Sequence, residues 1–218
     1  MYSFSIVPDL PLLNAVLQTL FFFACPFVIA ILLGGSLGIW LFLKRHLLLF
    51  VRTSSRFAIN PLPFIRATMY LGLCPLLLML LLSIPGMAAG TAVLVLLSLG
   101  AVFHLAYQLY SGLQTLDASI LETAMASGLE QMAMIRRVLI PMGKDRIIHA
   151  LCENALFLLA MESIAGIVAN IGLAGLAAWS VITGANGLLL LSSLLLLVPL
   201  FLLAGYLSSH FARKSGKP

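Results

Sequence analysis

The chain alternates between long stretches without Asp, Glu, Lys or Arg and short polar stretches that hold nearly all of its charge. Positions 14–43, 67–116 and 170–212 contain none of these four residue types. A helix needs about 20 predominantly apolar residues to cross roughly 30 Å of hydrocarbon. The pattern therefore predicts an all-α integral membrane protein with five transmembrane helices, at 14–43, 67–84, 87–113, 147–169 and 188–208. Pro85-Gly86 is a turn signal, so the second and third spans form a tight hairpin. The first span is longer than a crossing requires, so it tilts or begins outside the apolar layer. Pro26 is placed to kink it, and Gly34, Gly35 and Gly38 let a neighbouring helix approach closely. Residues 170–187 are rich in Gly, Ala, Ser and Thr, and read as a loop or short interfacial helix on the outer side.

The polar stretch at 117–146 differs from the rest. It holds four of the seven acidic and four of the twelve basic residues. Ala118, Leu121, Met125 and Leu129 form an apolar stripe at near-helical spacing, and Met132, Ile135, Val138 and Leu139 continue it. Gly128 falls between the two sets and Pro141 follows the second. This predicts a helix, a glycine bend, a second helix and a proline stop. Ser119 and Glu122 have capping-box spacing, and Asp117 is an alternative cap. A short amphipathic helix along the membrane surface offers its outer face to a soluble partner.

Composition agrees: 62% of residues are hydrophobic and 9% charged, against roughly 25% charged in soluble domains. The net charge of +5 points to topology rather than nucleic acid, because the basic residues cluster between apolar runs. Lys44, Arg45, Arg52, Arg56 and Arg66 follow the first span without an acidic residue among them. A second basic zone lies in 117–146, and Arg213, Lys214 and Lys217 follow the fifth span. With five spans all three zones share one side, which places the N-terminus outside and the C-terminus in the cytoplasm. The start lacks the positive region of a cleaved signal peptide. Residues 1–218 read as one transmembrane domain.

Candidate chemistry is sparse. Cys25, Cys74 and Cys152 have no CxxC spacing and sit in or beside apolar runs, as packing residues do. His104 has no second ligand at helical spacing, and the nine methionines match no metal box. No nucleophile, base and orienting group occur together, and no Gly-rich phosphate loop is present. No catalytic residue, metal site or cofactor is expected in this chain. Glu153 and Glu162 are the two carboxylates inside a span. An ionised group deep in a bilayer costs about 2.5 to 3.5 kcal/mol on an insertion scale, so Glu162 should face protein or water. It either lines a translocation path, with Ser163 and Asn170 nearby, or is held by a structural hydrogen bond. Glu153 lies near the span's start and can snorkel. Arg136, Arg137, Lys144 and Arg146 suit lipid headgroups, and the arginine pair equally suits a partner protein.

Glu122-Thr123-Ala124, then Gly128, then nine residues to Val138-Leu139-Ile140-Pro141 resemble the EAA loop of binding-protein-dependent ABC importer permeases. That loop runs Glu-Ala-Ala, three residues, Gly, nine residues, Ile-x-Leu-Pro. Thr123, Val138 and Ile140 are mild departures. The length, the five spans and Pro63-Phe64-Ile65 at the second span are most similar to the short methionine-importer permeases. Asn60 stands where that group has Arg, and 165–174 carries fewer glycines than its counterpart there. The resemblance implies a coupling helix seated on an ATP-hydrolysing subunit. Glu122, Thr123, Ala124, Gly128, Arg136, Arg137 and Pro141 would lie at or beside that contact. It also implies two ATPase subunits, which bind ATP and Mg, and a second permease copy as a homodimer. An extracytoplasmic binding protein or lipoprotein and a bacterial cytoplasmic (inner) membrane complete the expectation. Methionine or a related amino acid is the implied cargo. Osmoprotectant permeases share the length and the loop and remain an alternative. An ATP-independent channel or a membrane scaffold would keep the spans without the coupling.

Overall fold

In the computed structural model the first span is a single unbroken helical column. It comprises α1 (Pro11–Ile29), a five-residue π-helical turn (Ala30–Gly34) and α2 (Gly35–Phe50). The structure describes residues 11–50, 88–116, 123, 126 and 131–184, with isolated positions between 191 and 210. The expected second span, and most of the fifth, lie outside the described residues. Every described position from 191 to 210 is helical.

Pro26 sits inside α1 and is buried. It has no N–H to give to the preceding turn. The helix widens one turn later instead of breaking. At the end of the wide turn the Gly35 N–H reaches the carbonyls of both Ala30 and Ile31. The Ser36 hydroxyl donates to the carbonyls of Leu32 at 2.8 Å and Leu33 at 3.0 Å. A side chain thus supplies a donor where lipid supplies none.

Helix α3 (Ala89–Leu113) is the centre of the packing. Its buried positions, among them Val93, Leu97, Ala101 and Leu105, recur every four residues and face the first span and the helix after the loop. Gly34 and Gly38 set the distance to the first span. A methyl group on Gly34 would come to 2.6 Å of the Val102 carbonyl oxygen, and one on Gly38 to 2.9 Å of the Ala106 carbonyl oxygen. Without apolar exclusion from water to drive helices together in lipid, such close backbone approach supplies the attraction.

After the loop, α4 (Gln131–Met134), a second π-helical turn (Ile135–Leu139) and α5 (Ile140–Ala169) form one continuous helix. The expected proline stop at Pro141 is not observed. Pro141 occupies the first turn of α5, directly after the wide turn, where its missing N–H breaks no regular α-helical ladder. The span expected at 147–169 is therefore the second part of a helix that begins inside the loop. At its other end Asn170 adopts the left-handed conformation, with φ 57°. Then α6 (Gly172–Thr183) folds back, so the segment expected to be a loop or short helix is a helix.

Among the described residues three helical stretches, Leu12–Lys44, Ala89–Leu113 and Met132–Ala169, are long and apolar enough to cross a membrane. Leu20, Phe21, Val28, Leu32 and Leu33 are exposed on the first of them, as a lipid-facing surface requires. The chain is a multi-pass, all-helical membrane protein over its described residues.

Candidate functional site

Two regions at opposite ends of the first span concentrate the features of interest. The loop end is built from apolar packing. Phe42 and Leu43 of α2, Tyr110 and Leu113 of α3, and Met134 and Leu139 of the post-loop helix bury one another. With Met134 and Leu139 turned inward, Arg136 and Arg137 are turned outward and exposed, as are Pro141 and Lys144. Thr123 and Ala126 are helical and exposed. The expected contact residues Glu122, Ala124 and Gly128 lie outside the described residues. Lys44 sits 4.7 Å from the Trp40 ring centre, a pairing suited to a membrane–water boundary.

The far end is polar. Glu162 of α5 is 7% exposed and Thr19 of α1 is 4% exposed, and the two side chains are hydrogen-bonded. The Thr19 oxygen also accepts from the Leu173 N–H at 3.0 Å. A hydroxyl has one proton and two lone pairs, so Thr19 can meet the Leu173 N–H and the carboxyl group at once. The neighbouring Gln18 carbonyl oxygen accepts from the Gly172 N–H at 3.1 Å. These are N–H groups of the first turn of α6, which have no partner inside their own helix. Two side chains from 154 residues earlier in the chain therefore cap α6. Gly172 is required at this junction. Its φ is +69°, and a methyl group there would lie 2.7 Å from the Thr19 hydroxyl oxygen.

Of the residues expected near a path, Glu162 is thus drawn to α1 and α6. Ser163 donates to the Leu159 carbonyl of its own helix at 2.8 Å, and Asn170 is exposed beyond the end of α5. His104 stacks on Phe157, with ring centres 4.3 Å apart and planes 8° from parallel, inside the α3–α5 interface. Asn154, one turn before Phe157, is fully buried, and its amide has no hydrogen-bond partner among the described residues. Among those residues no group of three or more His, Cys, Asp or Glu side chains is placed to hold a metal ion.

Gln18 and Thr19 did not stand out among the expected site residues. Their signal was available: Asn14, Gln18 and Thr19 are polar positions on one helical face of an otherwise apolar span.

This helical arrangement is shared with a solved structure. The chain matches a chain from "Inward facing conformations of the MetNI methionine ABC transporter: CY5 native crystal form", with a TM-score of 0.74 and 19% identity, over 94% of this chain and 96% of that one. The CY5 SeMet soak crystal form of the same transporter matches with a TM-score of 0.70 and 20% identity over the same shares. No protein-family model and no curated protein matches the chain.

Proposed function

We propose that this chain is the membrane permease subunit of an ABC importer, with methionine or a related amino acid as cargo. The observation that carries the proposal is the fold shared with the MetNI methionine ABC transporter over nearly the whole length of both chains. The EAA-like spacing from Glu122 to Pro141 supports it independently. In this proposal the chain has five spans, with the N-terminus outside, the C-terminus inside and the loop at 117–146 in the cytoplasm of a bacterium. Two copies form the path. Two ATPase subunits bind ATP and Mg and receive the loops, and a binding protein or lipoprotein delivers cargo from outside.

The loop-end geometry suits this role. Met134 and Leu139 anchor the limb of the loop in an apolar cluster shared with two other helices. Arg136 and Arg137 remain free to face an ATPase surface. A push on that limb reaches α5 without a break, because the helix runs through Pro141. ATP binding would bring two such limbs together, and the path would open outward. The chain itself hydrolyses nothing. Glu162, Ser163 and Asn170 are retained as residues near the path.

Co-purification with the ATPase subunit tests the coupling. Gly128→Arg is expected to release the ATPase from the complex, and an unaltered complex would refute the contact. Uptake of labelled methionine and of glycine betaine in a deletion strain tests the cargo. Loss of methionine uptake is expected. Loss of betaine uptake alone would replace the amino acid with an osmoprotectant, and loss of neither would remove both.

A further inference from the structure

The first span touches the loop limb at one end and α6 at the other, as does the post-loop helix that carries the limb itself. From Gln18 to Leu43 it extends about 38 Å at 1.5 Å per residue, more than the hydrocarbon thickness. At the loop end it is seated by Phe42 and Leu43 against Met134 and Leu139. At the far end it holds α6 through two directional hydrogen bonds. Between them, Gly34 and Gly38 press its backbone against α3.

The link between α5 and α6 is short and closely packed, with the Ile171 N–H donating to the Gly166 carbonyl at 3.0 Å. Asn170 and Gly172 both have positive φ and bracket Ile171, so the chain reverses within three residues. Gly166 and Gly175 fit the first turn of α6 closely onto the end of α5. The bonds from Gln18 and Thr19 add a second hold on the first turn of α6, from α1. Glu162 lies beside the junction: its Oε1 would be 3.6 Å, and the Thr19 hydroxyl oxygen 2.7 Å, from a methyl group on Gly172.

We propose that the first span acts as a lever that couples the loop limb to α6, with Gly34 and Gly38 as its fulcrum. Gln18 and Thr19 are its positioning residues at the far end. The proposal rests on the permease function proposed above, because the limb moves only if an ATPase drives it. Displacement of the limb carries Phe42 and Leu43 with it. The close contact at Val102 and Ala106 prevents the span from sliding along α3, so the far end moves in the opposite sense and tilts α6.

The test uses the full chain with its ATPase in lipid nanodiscs. Cys25, Cys74 and Cys152 are replaced by alanine, and a nitroxide is attached through Ile182→Cys, a position 83% exposed near the end of α6. In the parent, ATP with vanadate is expected to shift the spectrum. In Thr19→Val and in the near-isosteric Gln18→Met, the resting label should be more mobile, the ATP-dependent shift at least fivefold smaller and ATP hydrolysis preserved. Thr19→Ser should restore the shift, which a variant that only loosens the fold would not achieve. An undiminished shift with Thr19→Val, or with Gln18→Met should the former fail to accumulate, overturns the lever. No ATP-dependent shift in a parent that still takes up labelled methionine also overturns the lever, whereas loss of both the shift and uptake means that the permease function fails instead. Even then, a resting mobility unchanged by both substitutions overturns the hold on α6.

Discussion

The two ends of the first span are held by opposite kinds of force. At the loop end, six predominantly apolar side chains from three helical segments bury one another. At the far end, a carboxyl, a hydroxyl and a side-chain amide meet two backbone N–H groups. Packing is non-directional and tolerates swaps that preserve volume. Hydrogen bonds in a low dielectric fix angles, and leaving one partner unpaired is costly. One end therefore resists separation, while the other specifies orientation. A transmitting element needs both: a firm seat where force enters and a defined angle where it leaves.

Substitutions can break this contrast, and the largest effect should fall at the junction. Gly172→Val places a branched side chain at φ +69° and against the Thr19 hydroxyl oxygen. Left-handed backbone costs roughly 1–2 kcal/mol and overpacking about 1–3 kcal/mol, so thermal unfolding in detergent should show a loss of about 3–4 kcal/mol. Phe42→Ala empties the centre of the apolar seat and should cost about 3 kcal/mol in the same assay. Thr19→Val keeps the volume but removes two hydrogen bonds. Interhelical bonds in membranes average about 0.6 kcal/mol each, so the expected loss is about 1 kcal/mol, although transport should fall far more than stability does. Leu139→Met should cost less than about 1.5 kcal/mol and leave ATP-driven uptake intact. If Thr19→Val left transport intact, or Leu139→Met abolished it, the assignment of packing to one end and direction to the other would be wrong.

Much of the far end was legible as composition but not as partnership. Glu162 announced itself because a carboxyl inside a span must find protein or water. Its partner lies 143 residues away on another helix, and no local periodicity encodes that distance. The helix at 172–183 was open between loop and helix because Gly, Ala, Ser and Thr suit either. What decides it is the capping from Gln18 and Thr19, which only tertiary structure supplies. The loop end shows the reverse case. Apolar spacing marked Met132, Ile135, Val138 and Leu139 as one helical face; Leu139 is buried, but Met132 is 56% exposed and Met134, outside that stripe, is buried instead. Pro141 misled because proline ends regular α-helix, whereas here a wide turn absorbs it. The central span at 87–113 agreed closely with the observed helix because strong, uniform hydropathy leaves few alternatives.

The wide turn at Ala30–Gly34 has a consequence for the length of the chain. A π-helical turn is an α-helix carrying one residue more than its turn needs. Each residue advances an α-helix by about 100°, so an added residue would ordinarily turn everything after it. Here the wide turn absorbs that residue, and Phe42 and Leu43 keep the phase that meets Met134 and Leu139. Removing one residue between 30 and 34 should close the wide turn into regular α-helix and leave that face in place. Removing one between 36 and 41, in regular α-helix, should instead rotate Phe42 and Leu43 away by about 100°. The wide turn is thus a slack in the span, and the two ends tolerate a change of count there and nowhere else along α2.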